Sequence, residues 1–110
     1  ALTGAVPRSI TTPSVMPKEE IQVTPMTQEE AFAMHSFQGE WGCGVSKFDW
    51  EYSGKETAYV LEGHVIVTPT GAWSECKPAE VKAGDLAVFP DGMTCVWDVK
   101  EAIKKKYTFG

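Results

Sequence analysis

Few side chains in this 110-residue sequence can do chemistry. The histidines are His35 and His64, and the cysteines are Cys43, Cys76 and Cys95. An odd number of cysteines, none in CxxC spacing, encodes neither a disulfide framework nor a zinc knuckle and suits a reducing compartment. The two histidines do not combine either. His35 precedes the strand-rich part of the chain, and His64 follows the turn signal Glu62-Gly63, at the surface. The densest run of functional side chains is FDWEYSGKETAYVLEG, Phe48 to Gly63. In it Phe48, Trp50 and Tyr52 alternate with Asp49 and Glu51, which gives a strand one apolar and one wet face.

The elements that position these residues announce themselves by turns at short, regular spacing: Ser53-Gly54, Glu62-Gly63, Pro69-Thr70-Gly71, Ala83-Gly84-Asp85 and Asp91-Gly92. Between them lie TAYVL, HVIVT, AEVK, LAVF and MTCVWDV, each of strand length and rich in β-branched or aromatic residues. Strands at this pitch predict an all-β sandwich or barrel. The final segment IKKKYTF is expected to close the sheet, with Lys104, Lys105 and Lys106 as a solvated, guarding edge. Upstream, Thr27-Gln28-Glu29-Glu30 is a capping-box pattern that starts one short helix over about Thr27 to Phe37. Residues 1–26 hold four of the seven prolines and no sustained period, so they read as an extended arm. The predicted organisation is an arm over 1–26, a helix and connector over 27–38, and a β-barrel over 39–110.

Composition narrows the function. One domain of this length buries roughly two-thirds of its unfolded surface, and 43% hydrophobic residues with four Trp, three Tyr and five Phe supply a core. No apolar run approaches the roughly 20 residues of a membrane span. A net charge of −5 disfavours nucleic acid, whose binding depends on clustered Lys and Arg. The chain opens on ALTGAVPRSITTPSVMPK, rich in Thr, Ser, Pro and Ala, without a charged start and apolar core; the expectation is a removed leader or a start inside a longer precursor. That composition suits the vicinity of a cleaved organelle leader, so the expected location is intracellular, in plastid or cytoplasm.

From Trp41 to Phe109 the chain resembles a cupin, and more narrowly the small single-domain group that shares a domain type with ureidoglycine aminohydrolase. The matching pieces are SKFDWEYSGKETAYVLEG, AGDLAVFPDGMTCVWDV and the closing KKYTF. Laid on this chain, the first block of the general cupin pattern starts at Gly42, puts its two His positions on Phe48 and Trp50 and its Glu on Glu56, and ends at Gly63. The second block runs Gly84, Pro90, Gly92, with Cys95 at its His position and Val99 at its Asn position. The three imidazoles that would hold a metal are thus replaced. Phe48 and Trp50 can donate nothing to a cation, and Glu56 with Cys95 is too small a ligand set. The resemblance therefore implies a small jelly-roll barrel without metal and without a cofactor.

The same resemblance points Phe48, Trp50, Glu56, Tyr59, Cys95 and Trp97 inward, as candidates for an aromatic pocket with one carboxylate and one thiol. They either fill the barrel as core or orient a small ligand. Glu56 is the candidate acid or base, since burial raises a carboxyl toward neutral pH; the alternative is a structural pair with Lys47 or Lys55. Cys95 needs a base or positive neighbour to form thiolate, and no His stands near it in the pattern. Two functional expectations follow. One is a non-metal binding or accessory module, recruited to a protein assembly through residues 1–26. The other is a small-ligand sensor or metal-independent enzyme using the cavity, with Tyr59 or Cys95 assisting Glu56. Cupins commonly pair through their sheets, so a homodimer is also expected.

Overall fold

The computed structural model describes residues 18–110, and in them the alternating runs become seven antiparallel strands. They are β1 Gln22–Pro25, β2 Gly39–Cys43, β3 Ser46–Glu51, β4 Glu56–Pro69, β5 Ala79–Lys82, β6 Asp85–Phe89 and β7 Thr94–Phe109, with one helix, α1, over Gln28–Met34. The spatial order is β1-β6-β4-β7-β2, with β3 also on β7 and β5 also on β4. The fold is the expected all-β, cupin-type barrel preceded by a short helix.

Two long strands make the barrel. The first half of β4 pairs with β6 at residues 56–59, and its second half pairs with β5 at residues 64–67. β7 mirrors this, holding β3 through residues 94–99 and β2 through residues 103–107. Each long strand therefore passes from one half of the barrel to the other, and the β4–β7 register shifts between Val60 and Val65, where the passage occurs. Such irregularities bend a strand and raise its twist. Gly63 sits there with φ +96°, and a Cβ on it would lie 2.2 Å from the Ala102 carbonyl oxygen. The Glu62-Gly63 signal is thus a bulge inside one strand, and TAYVL and HVIVT are its two arms rather than separate strands. MTCVWDV and IKKKYTF are joined in the same way in β7.

Alternation decides what reaches the core. Ala58, Val60, Val65, Val67, Val81, Ala87, Phe89, Cys95, Trp97, Val99 and Ile103 fill one buried cluster with Tyr52 and Met93. On the opposite face of β4 and β6, Tyr59 and Leu86 pack with Ala31 of α1 in a second, smaller cluster. The capping box forms: Thr27 accepts from Glu30 N at 3.1 Å, and Glu30 accepts from Thr27 N at 2.9 Å. α1 ends at Met34, ahead of the predicted Phe37, because His35 is already extended at φ −136°.

The end of the expected arm belongs to the barrel. β1 runs antiparallel to β6, Glu20 accepts from Lys77 N at 2.8 Å, and the Lys18 ammonium lies 4.9 Å from the Trp73 ring centroid. The remainder of the arm, residues 1–17, lies outside the described residues. The lysines are not an edge, because β7 is flanked by β4 on one side and by β2 and β3 on the other. No helix among the described residues is long and apolar enough to cross a membrane.

Candidate functional site

Odd-numbered residues of β7 face inward on both sides of its irregularity: Cys95, Trp97 and Val99, then Ile103 and Lys105. Lys104 and Lys106 point outward and meet Glu40 at 3.5 and 3.2 Å. On β4, Glu56 shares its face with Ala58 and Val60. The inward faces of β4 and β7 thus bring together a carboxylate and an ammonium, Glu56 at 3% and Lys105 at 5% exposure, with Lys105 Nζ donating to Glu56 Oε2 at 2.5 Å. Lys47 and Lys55, the expected partners at the rim, are not the ones that meet Glu56.

This pair lines a cavity of about 160 Å³. Its other walls are aromatic. Trp41 from β2, Phe48 from β3 and Trp97 from β7 form them, with Phe48 stacked on Trp97 at 6.2 Å and 20°, and Trp41 edge-on to Trp97 at 5.8 Å and 83°. Lys105 Nζ stands 4.6 Å from the Trp97 ring centroid and 5.2 Å from that of Trp41. Trp50, 45% exposed, and Phe109 form the open side with Tyr107. Ring faces carry negative charge density and attract a cation. The ammonium is therefore held by one carboxylate and by π-faces. Burial pulls the Lys105 pKa below its ordinary value, with the neighbouring Glu56 opposing the shift.

Of the six residues predicted to share a pocket, Phe48, Trp50, Glu56 and Trp97 line this cavity. Tyr59 does not: one residue out of phase with Ala58 and Val60, it faces α1, and its hydroxyl donates to the Met26 carbonyl at 2.9 Å. Cys95 has the right parity but is packed into the core at 1% exposure, off the cavity wall. Burial pushes its thiol up to about 11, against the opposing pull of Lys105, so it is protonated and unreactive at neutral pH. Residues that sequence reasoning missed are Lys105, Trp41, Tyr107, Phe109 and the supporting Tyr52. Tyr52 stacks on Phe89 at 4.9 Å and 9°, and its hydroxyl accepts from Trp97 Nε1 at 3.0 Å, which fixes the indole against the cavity. Burial, followed by the neighbouring Glu56 and Cys95, pushes the Tyr52 phenol well above its ordinary pKa. The signal for Lys105 was present in the parity it shares with Ile103 and Tyr107.

The donor set does not fit the metal of the general cupin pattern. Phe48 and Trp50 bring no lone pair to the first two positions, Cys95 is a protonated thiol, and the Glu56 carboxylate is already held by an ammonium that would repel a second cation. Among the described residues no three His, Cys, Asp or Glu side chains gather where they could hold an ion. His64 pairs instead with Glu80, Nε2 to Oε2 at 2.7 Å, on the outside of the barrel.

Comparison with known proteins gives the same fold. The model of the EutQ-like cupin domain matches residues 30–107. The crystal structure of a DUF861 family protein from Thermotoga maritima is similar to this chain with a TM-score of 0.72 and 34% identity, covering 83% of this chain and 100% of that one. The EutQ protein of Clostridium difficile, at TM-score 0.54 and 22% identity, covers 63% of this chain and 51% of its own. A putative ethanolamine utilization protein Q from Salmonella typhimurium, at TM-score 0.54 and 23% identity, covers 79% and 66%. These last two likenesses concern the fold, and this chain spans only part of both proteins. No curated protein matches the chain significantly.

Proposed function

The chain belongs to the EutQ-like cupin domain family, and we propose that within it this barrel is a metal-independent binding module for a small, mostly apolar molecule with one polar head. The observation that carries this is the buried Glu56–Lys105 pair facing an aromatic cavity. A pair meant only to hold strands together would be sealed by packing. Here the charges border an open space, the usual arrangement of a pocket in which a few polar groups orient an apolar ligand. The cavity of about 160 Å³ is close to the volume that holds benzene, so the part of the ligand that enters it is about the size of one six-membered ring.

The accessory role in this proposal runs through the arm. Residues 18–25 are engaged by the barrel, so recruitment to an assembly rests on residues 1–17, and truncating them should abolish co-purification of the partner without changing the fold. The narrower kinship with the ureidoglycine aminohydrolase domain is part of this proposal for the scaffold alone, since that chemistry lacks its donors here.

The test is a saturation-transfer NMR screen with small aromatic and aliphatic alcohols, amides and carbonyl compounds. Saturable binding that perturbs the Trp97 indole, and that weakens in Trp50→Ala at the rim, is the expected result. A protein that binds none of them, with Trp97 unperturbed, would show the cavity to be packing space only.

A further inference from the structure

We propose that Lys105 Nζ captures small uncharged aldehydes and ketones as an imine inside the aromatic cavity, with Glu56 carrying the protons. This rests on the reading of the cavity as a small-molecule site and names the class of molecule.

Three features of the site converge on it. A lysine at the wall of an apolar cavity is a poised carbonyl-capture group, because the desolvation that disfavours its ammonium favours the nucleophilic amine. Lys105 is in that position, and its pKa is drawn down by burial. The groups that face it are Glu56 on β4, Cys43 on β2 and Cys95 on β7, and Glu56 alone among them makes a hydrogen bond to Nζ, at 2.5 Å. Imine formation needs a base for the ammonium and an acid for the departing oxygen, and one carboxyl in contact with Nζ supplies both in turn. The product is a cation in the position the ammonium held, and the Trp97 and Trp41 faces that stabilise the ammonium would stabilise the iminium equally.

The step balances within the cavity. Glu56 accepts a proton from the ammonium, and the amine lone pair attacks the carbonyl carbon while Glu56 returns a proton to the carbonyl oxygen. Glu56 then takes a proton from the nitrogen of this adduct and gives it to the hydroxyl, which leaves as water as the C=N bond forms. In sum, one ammonium and one carbonyl become one iminium and one water, Glu56 ends as carboxylate, and no electrons are exchanged with a third species. The apolar walls favour loss of the water. They also select the substrate: a sugar would find few partners for its hydroxyls, and a carboxylate-bearing carbonyl would meet Glu56 beside the only buried cation among the described residues. Alkyl or aryl carbonyl compounds of benzaldehyde size or smaller remain.

The test uses the full chain, benzaldehyde and cyanoborohydride at neutral pH, followed by peptide mass mapping. Trapping at Lys105 should run at least about tenfold faster than at the half-exposed Lys100, which serves as an internal reference. Benzyl alcohol, which fits the cavity but cannot form an imine, should slow Lys105 and leave Lys100 alone. In Glu56→Gln, judged folded by circular dichroism, trapping at Lys105 should fall about a hundredfold; should that variant not fold, the wild-type ratio and the alcohol competition still decide. Lys105 modified no faster than Lys100, with benzyl alcohol bound in NMR, overturns the imine and leaves the binding reading standing. Lys105 unselective with no alcohol bound overturns both.

Discussion

Breaking the Glu56–Lys105 pair should cost more than removing it. At the observed 2.5 Å, the Coulomb attraction at an effective dielectric constant of about 20 is roughly 6–7 kcal/mol before desolvation is charged against it. Glu56→Gln keeps the shape but leaves an ammonium at 5% exposure without its counter-charge, and the expected loss is about 3–5 kcal/mol. Lys105→Met leaves the carboxylate stranded at 3% exposure with the same expected loss. The double variant Glu56→Gln, Lys105→Met buries no charge, places a flexible apolar chain among the rings, and should lie within about 1–2 kcal/mol of the wild type. The double-mutant cycle, measured by urea unfolding with unchanged m-values, should therefore report a coupling of at least about 3 kcal/mol. Single-variant losses that add within about 0.5 kcal/mol would show two independent sites, and the site described above would not exist as an energetic unit.

Three further outcomes follow from other parts of the barrel. Gly63→Ala should destabilise by more than about 2 kcal/mol, because positive φ is compounded by a Cβ 2.2 Å from a carbonyl oxygen; Gly84→Ala, with φ +93° and open space around it, should cost only about 1–2 kcal/mol, and equal melting-temperature losses would refute the crossing described at Gly63. Tyr52→Phe leaves the Trp97 Nε1 donor unpaired in the core and should cost about 1–3 kcal/mol in denaturant unfolding, whereas no loss would mean that the 3.0 Å bond does not hold the indole. In alkali, Cys95 is a thiol in both states below its ordinary pKa of 9.0. Above that the unfolded state ionises first, so stability falls as pH rises from about 9 until the folded thiol ionises near 11, and in Cys95→Ala this part of the slope should vanish.

The barrel could be read from the sequence because its evidence is local. Alternation at Phe48, Trp50 and Tyr52, the turn at Asp91-Gly92 and the Thr27–Glu30 capping box each depend on neighbours a few residues away. What escaped depends on distant chain. Gly63 has the composition of a turn, and only the approach of Ala102 makes it a bulge within a continuous strand. Three consecutive lysines look like a wet edge until β2 and β4 flank them, after which alternation has to send one inward. Tyr59 was assigned inward by resemblance, although strict alternation with Glu56, Ala58 and Val60 already placed it on the opposite face. Residues 22–25 carry no pattern of their own, and their pairing with β6 is visible only once β6 has an unpaired side.

The strand that joins most of the barrel, β7, comes after all of its partners in the chain. β7 carries the partners of β2, β3 and β4, so none of these three ladders can close until β7 has been made, although β4 can already pair with β5 and β6. A chain of this topology gains little from folding as it emerges, because its contacts span long sequence separations. Until β7 is in place the apolar faces of β2 and β3 lack a partner, and uncovered apolar surface with unpaired strand edges is what makes an incomplete chain prone to aggregation.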